Sequence, residues 1–251
     1  MTQTTRYDFL DWLRVIAIFV LIFFHTGMLF VGWGWHITND ETIPALVWPM
    51  DLMHRLRMPL PFVIAGAGMW FALQRRSGKA FAGERTLRLL VPAIIGIFLI
   101  VPPQIFIERI SHGEWHGGYL DFYLQRVLQF QPYPAGNFSW HHLWFIVYLY
   151  AYVLLLLPLM LWWRKARPAL EPGVWILALA LPLGINEALL KPLFPQTHAL
   201  IGDWYVFNHY LLLTLYGFAL ATSAANWDWF ARWRYASLPR MAAAVQPKFL
   251  P

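Results

Sequence analysis

The chain has 251 residues, 59% of them hydrophobic and 13% charged, with a mean hydropathy of +0.48, which excludes an ordinary soluble domain and makes the bilayer the expected solvent. It has no cysteine, which excludes disulfides, thiolate metal centres and a thiol nucleophile. The formal net charge of +6 comes without a lysine-rich tail or an RNA-type aromatic motif, so nucleic acid is excluded as a partner.

A membrane-spanning helix needs about 20 mostly apolar residues. Six stretches qualify, and the expected fold is an all-α polytopic integral membrane bundle of about six transmembrane helices. The first runs from Val15 to Trp33, inside LDWLRVIAIFVLIFFHTGM. It continues into GWGWH rather than a small-residue cleavage site, so it reads as a retained helix and not a signal peptide. Arg14 and His25 are eleven residues apart, about three helical turns plus roughly 20°, with a rise of about 16 Å. Both side chains therefore project from one face, Arg14 near the cytoplasmic boundary and His25 near mid-membrane. An ionisable ring at that depth faces protein or water and is a functional candidate, with imidazole suited to act as a base. A packing histidine bonded to a neighbouring carbonyl is the competing reading.

The second span, Leu52 to Leu73, contains Pro59 and Pro61 and has Arg55 and Arg57 near its start. Proline is tolerated there where neighbouring helices satisfy the freed carbonyls. The loop QRRSGKAFAGERTLRLL follows, with Arg85 and Arg88 spaced i, i+3 on one helix face where the third span, Leu89 to Ile107, begins. Guanidinium forks suit phosphate. Taken without other context, topology and lipid headgroup contact account for these arginines.

The long segment from Glu108 to His142 becomes the main extracytoplasmic loop, rich in Trp, Tyr, His and Gln with glycine and proline turns. That mixture suits a sugar and equally suits a loop lying at the membrane surface. Within it, HGEWH places His112, Glu114 and His116 in alternation, but the neighbouring glycines and a ligand set too small for zinc argue against a metal. HHLWF opens the fourth span, Leu143 to Trp163, and His141 and His142 there either orient an acceptor hydroxyl or anchor the chain at the interface. The fifth and sixth spans are Val174 to Leu190, carrying Asn186 and Glu187, and Tyr205 to Ala225. With no internal repeat or linker, residues 1–225 read as one membrane domain and 226–251 as a short cytoplasmic tail.

With the N-terminus placed inside, fourteen of the nineteen basic residues fall on the cytoplasmic side and five outside. The bias towards the cytoplasm supports both termini being cytoplasmic.

In that order, these stretches resemble the acyltransferase-3 family of integral membrane O-acyltransferases, in its glucan-modifying branch. YDFLDWLRVIAIFVLIFFH is similar to its pattern of an arginine, ten residues and a histidine. RLRMPLPFVIAGAG resembles its second span, with Ala65 where a serine is usual. ERTLRLLVPAIIGIFLIVPPQIFIER is similar to its RxxR motif followed by an apolar span, and HHLWFIVYLYAYVLLLLPL to its later HLWF segment. The resemblance covers residues 6 to about 225. It implies a short acyl group, acetyl or succinyl, carried by a cytoplasmic acyl-CoA co-substrate and a carbohydrate acceptor outside a bacterial inner membrane, with no permanently bound cofactor. By position it makes His25 the catalytic histidine, supported at the donor by Arg14, Arg85 and Arg88. Arg57, His141 and His142 complete the substrate-binding set. Family members have about ten spans, so a chain shortened at its C-terminus is expected. A glycan or lipid-linked sugar transporter and an inactive remnant are the rival readings.

Overall fold

The computed structural model describes residues 8–166, 173, 176 and 178–233. The N-terminal residues 1–7, the start of the predicted fifth span and the tail beyond residue 233 lie outside the described residues. Among the described residues the chain is helical, without a strand. Four of its helical stretches are long and apolar enough to cross a membrane: Asp8–Phe30, Pro44–Leu73, Gly78–Ser111 and His141–Ala166. The chain divides into two compact units. One comprises Met1–Arg76, Pro158–Thr197 and Ile201–Pro251, and the other Ser77–Leu157 and His198–Leu200.

The first unit begins with α1, Asp8–Gly27, which starts a full two turns before the predicted span. Hydropathy locates hydrocarbon, whereas helical hydrogen bonding begins earlier, where Asp8 and Asp11 complement the positive end of the helix dipole. Leu10, Ala17 and Phe24 recur every seven residues along its buried stripe. On the opposite side Trp12, Ile18, Phe19 and Phe23 are each more than half exposed, an apolar surface that belongs in lipid.

The predicted second span is two helices, α2 (Val47–Arg57) and α3 (Pro59–Leu73), because Pro59 fits the first position of a new helix better than the interior of an old one. The most extensive packing in this unit joins α3 to the helix from Trp204 to Leu220. Its cause is the run AGAG at residues 65–68. A methyl group added at Gly66 would lie 1.9 Å from the Thr214 carbonyl oxygen, and one added at Gly217 would lie 1.9 Å from that of Val63. Small residues let two membrane helices touch backbone to backbone, which a Cβ on either strip would prevent. Around that contact Phe62 stacks on Tyr210 at 4.5 Å and Phe218 meets Trp70 edge-on at 5.4 Å.

The end of α3 is closed by a residue distant in sequence. Arg164 Nη1 donates to the carbonyls of Leu73 at 2.6 Å and Arg76 at 2.9 Å, supplying donors to acceptors left over at a helix C-terminus. The predicted fifth and sixth spans are shorter than expected within the described residues: Ala180–Leu189 has ten residues and Trp204–Leu220 seventeen. The latter stops where Asn226 Nδ2 takes the Leu220 carbonyl at 3.1 Å, and residues 224–233, at the start of the expected tail, are helical again.

The second unit is built on one long helix, Gly78–Ser111, here called α4. Ser77 starts it by accepting the Ala80 amide at 3.2 Å. Two of its turns are widened. Val91 N–H bonds to Thr86 and Val101 N–H to Gly96, five residues back in each case. Pro92 and Pro102 follow immediately. A proline ring collides with the carbonyl four residues before it, and an extra residue in the turn relieves that collision. The carbonyl so freed at Phe98 accepts the Tyr123 hydroxyl at 3.1 Å. Tyr123 comes from a short helix, Tyr119–Gln125, whose Phe122 joins Val101, Ile105 and Val127 in this unit's core.

Candidate functional site

Within the first unit, α1 carries Arg14 and His25, the pair that its sequence periodicity places on one flank. His25 lies in the last turn of α1, before Gly27. Its Nδ1 is 2.7 Å from the Leu21 carbonyl oxygen. A carbonyl only accepts, so Nδ1 carries the hydrogen and Nε2 keeps the lone pair. Arg14 is half exposed; it donates to Asp11 Oδ1 at 2.7 Å, and a methyl group on Gly68 would sit 2.9 Å from its Nη2. Gly68 therefore makes room for the guanidinium on α3.

After α1 the chain turns back through Gly32 and Gly34, both at positive φ, and Asn39 and Ile43 donate to the carbonyls of Leu29 and Phe30. That return brings Trp33 and Trp35 against the end of α1. Phe24, only 1% exposed, is the hub. Its ring centroid is 5.8 Å from His25 and 5.7 Å from His54 of α2, and the Arg57 guanidinium lies 4.0 Å over its face. Trp35 approaches His25 at 5.8 Å, and Trp33 approaches His54 at 6.1 Å. Arg57 and His25 thus meet the same ring, as does His54, which was not singled out by sequence reasoning. The available signal was spacing: His54 and Arg57, three apart in HRLR, share a helix face.

A second polar group in this unit involves the residues flagged at the end of the fifth span. Glu187 pairs with Lys191 and accepts the Tyr205 hydroxyl, while Asn186 Nδ2 donates to the Tyr205 carbonyl at 3.1 Å.

In the second unit, Arg85 and Arg88 meet different neighbours. Arg85 is half buried with its guanidinium 5.1 Å from the Phe81 ring centroid, whereas Arg88 is exposed and reaches back to Glu84 at 3.0 Å. The widened turn that begins at Thr86 falls between them in the chain. His141 is half buried, its amide donating to Ser139 Oγ at 3.0 Å and its ring 4.8 Å from Tyr133; His142 is exposed.

The loop around His141 is organised by Arg109. Its guanidinium donates to Asn137 Oδ1 at 3.0 Å and to the carbonyls of Pro134 at 2.7 Å and Gly136 at 3.0 Å, and it pairs with Glu114. That pairing gives the glutamate of HGEWH a structural partner. Glu108, 5% exposed, accepts the Tyr133 hydroxyl at 2.7 Å. Burial first, and then this bond to a carboxylate, push the Tyr133 phenol up to about 12.

An acyltransferase-domain family model matches residues 7–245. The chain is 25% identical over 227 residues to the glucans biosynthesis protein C of Escherichia coli (strain K12), and 24% identical over 222 residues to the protein of that name from Salmonella schwarzengrund. Each match covers 84% of this chain and 55% of the relative, so the chain spans about half the length of the curated relatives it matches. No solved structure matches it.

Proposed function

The chain belongs to the acyltransferase family whose domain it matches over residues 7–245, and from that premise we propose that it transfers a short acyl group, acetyl or succinyl, from a cytoplasmic coenzyme A thioester to a hydroxyl of an extracytoplasmic glycan. The observation that carries the reading is the state of His25: with Nδ1 held by Leu21, its Nε2 lone pair is available. In this mechanism Nε2 takes the acceptor's hydroxyl proton as its oxygen attacks the acyl carbon, and the C–O bond forms. Collapse of the tetrahedral intermediate breaks the C–S bond, and the thiolate leaves with the proton returned by His25. The same lone pair also allows an acyl-histidine route, in which Nε2 itself attacks first.

Arg14, Arg85 and Arg88 are assigned to the phosphates of the donor, as guanidinium forks suit them. Arg57 is assigned to substrate binding beside His25, and His141 and His142 to the acceptor. The rise of about 16 Å between Arg14 and His25 on an ideal helix is a distance that an extended phosphopantetheine arm bridges. This reading places the protein in the bacterial inner membrane, multi-pass, with both termini cytoplasmic.

The test is purified protein in lipid nanodiscs with radiolabelled acyl-CoA and glycan. Wild type is expected to label the glycan, and His25→Ala to abolish labelling. Labelling by His25→Ala at the wild-type rate, or glycan translocated across vesicles without modification, would overturn the reading, the latter in favour of a transporter.

A further inference from the structure

Two histidines flank Phe24, and the acyl-transfer mechanism above uses only one of them. His54 is the other. It stands one turn from Arg57 on α2, and the two side chains approach the same phenyl ring that His25 meets edge-on. The rings differ in where their hydrogen lies. Arg57 Nη2 is 3.4 Å from His54 Nδ1. A guanidinium only donates, so His54 Nδ1 accepts and its hydrogen resides on Nε2. His25 has the reverse arrangement, with hydrogen on Nδ1 towards Leu21 and the lone pair on Nε2. One imidazole therefore offers an acceptor at Nε2 and the other a donor at the same ring position.

Arg57 adds charge to this arrangement. Its Nε is buried without a hydrogen-bond partner among the described residues, and the guanidinium lies within electrostatic reach of both imidazoles. A fixed cation with an unused donor, beside a neutral N–H donor, is suited to an oxygen on which negative charge develops.

We propose that His54 is a second catalytic histidine, whose Nε2–H, backed by Arg57, binds the acyl carbonyl oxygen while His25 acts on the acceptor hydroxyl. This inference rests on the acyltransferase reading. As the acceptor oxygen bonds to the acyl carbon, the displaced C=O electron pair moves onto the oxygen held by His54, and the acceptor proton passes to His25. When that pair returns, the C–S bond breaks, and the thiolate leaves with the proton from His25. His54 donates a hydrogen bond throughout and transfers no proton of its own.

Initial rates of the 251-residue protein in nanodiscs test this, with acyl-CoA and glycan each varied. His54→Phe retains an aromatic ring against Phe24 and Trp33 but has no N–H. It is expected to lower kcat about 100-fold, as loss of one oxyanion donor does, with KM for both substrates unchanged. His54→Ala should match it, and His54→Gln, whose side-chain amide restores an N–H, should recover about tenfold. Thermal unfolding of each variant identifies any that fail to fold. A folded His54→Phe with wild-type kcat, or one altered only in KM, overturns the role of His54 and leaves the acyltransferase reading intact. A wild-type protein that transfers no acyl group overturns that reading, and this inference falls with it.

Discussion

The Tyr123 hydroxyl donates at 3.1 Å to the carbonyl of Phe98, the acceptor that Pro102 deprives of its ordinary helical partner. Removing the hydroxyl leaves a carbonyl that has lost both donors. Tyr123→Phe is therefore expected to destabilise the protein by about 1–3 kcal/mol. Pro102→Ala restores a backbone N–H in the right place, so Tyr123→Phe should cost less in that background. A double-mutant cycle in reversible unfolding from detergent measures the coupling, and strictly additive effects would show that the proline and the tyrosine are independent.

Gly66 and Gly217 lie where two backbones touch. An alanine at either site brings a methyl group within 1.9 Å of a carbonyl oxygen, a clash that no side-chain rotation relieves. Each substitution should cost about 1–3 kcal/mol or more as the helices separate. The two share one interface, so the double variant should fall short of the sum, read as the shift in unfolding midpoint.

Gly68 is the contrasting case. Its added methyl meets only the far end of the Arg14 side chain, at 2.9 Å, and that end can swing away. Gly68→Ala should leave stability within about 0.5 kcal/mol of wild type. If Arg14 holds the donor, KM for acyl-CoA should rise about tenfold, the equivalent of one lost charge-assisted bond. An unchanged KM in a variant whose Arg14 has moved would remove Arg14 from the donor site.

Tyr133 gives a pH prediction. Its folded-state value is raised to about 12, so the neutral phenol on Glu108 is the form that folding favours. That contribution is complete below the ordinary tyrosine value of about 10 and is lost as pH rises towards about 12. Phenolate absorbance should lose one late-titrating tyrosine in Tyr133→Phe, and proteolysis of the segment around residues 131–138 should quicken over the same window. A titration with every tyrosine ionised by about pH 10 would contradict the Glu108 contact.

The sequence made the spans legible where hydrophobicity alone decides. The fourth, predicted from Leu143 to Trp163, is a helix from Trp144 to Ala166. Helix ends were less legible, because Asp8 and Asp11 extend α1 through residues that no apolar window counts. His25 then falls in the last turn of α1. The widened turns escaped a reading based on one fixed period, although VP occurs twice, ten residues apart, at Val91 and Val101. His54 was missed for another reason. Its neighbour Phe24 lies thirty positions away on another helix, and only the fold brings them together.

The contact between Gly66 and Thr214 also bears on biosynthesis. Its two halves leave the ribosome roughly 150 residues apart, about 7–30 s at ~5–20 residues per second. Throughout that interval the glycine strip of α3 waits in the membrane without its mate. Ser77–Leu157, almost the whole of the other unit, is synthesised between them. The unit that begins first is thus completed last, and a ribosome that stalls before residue 204 leaves α3 in the bilayer with its closest-fitting surface uncovered.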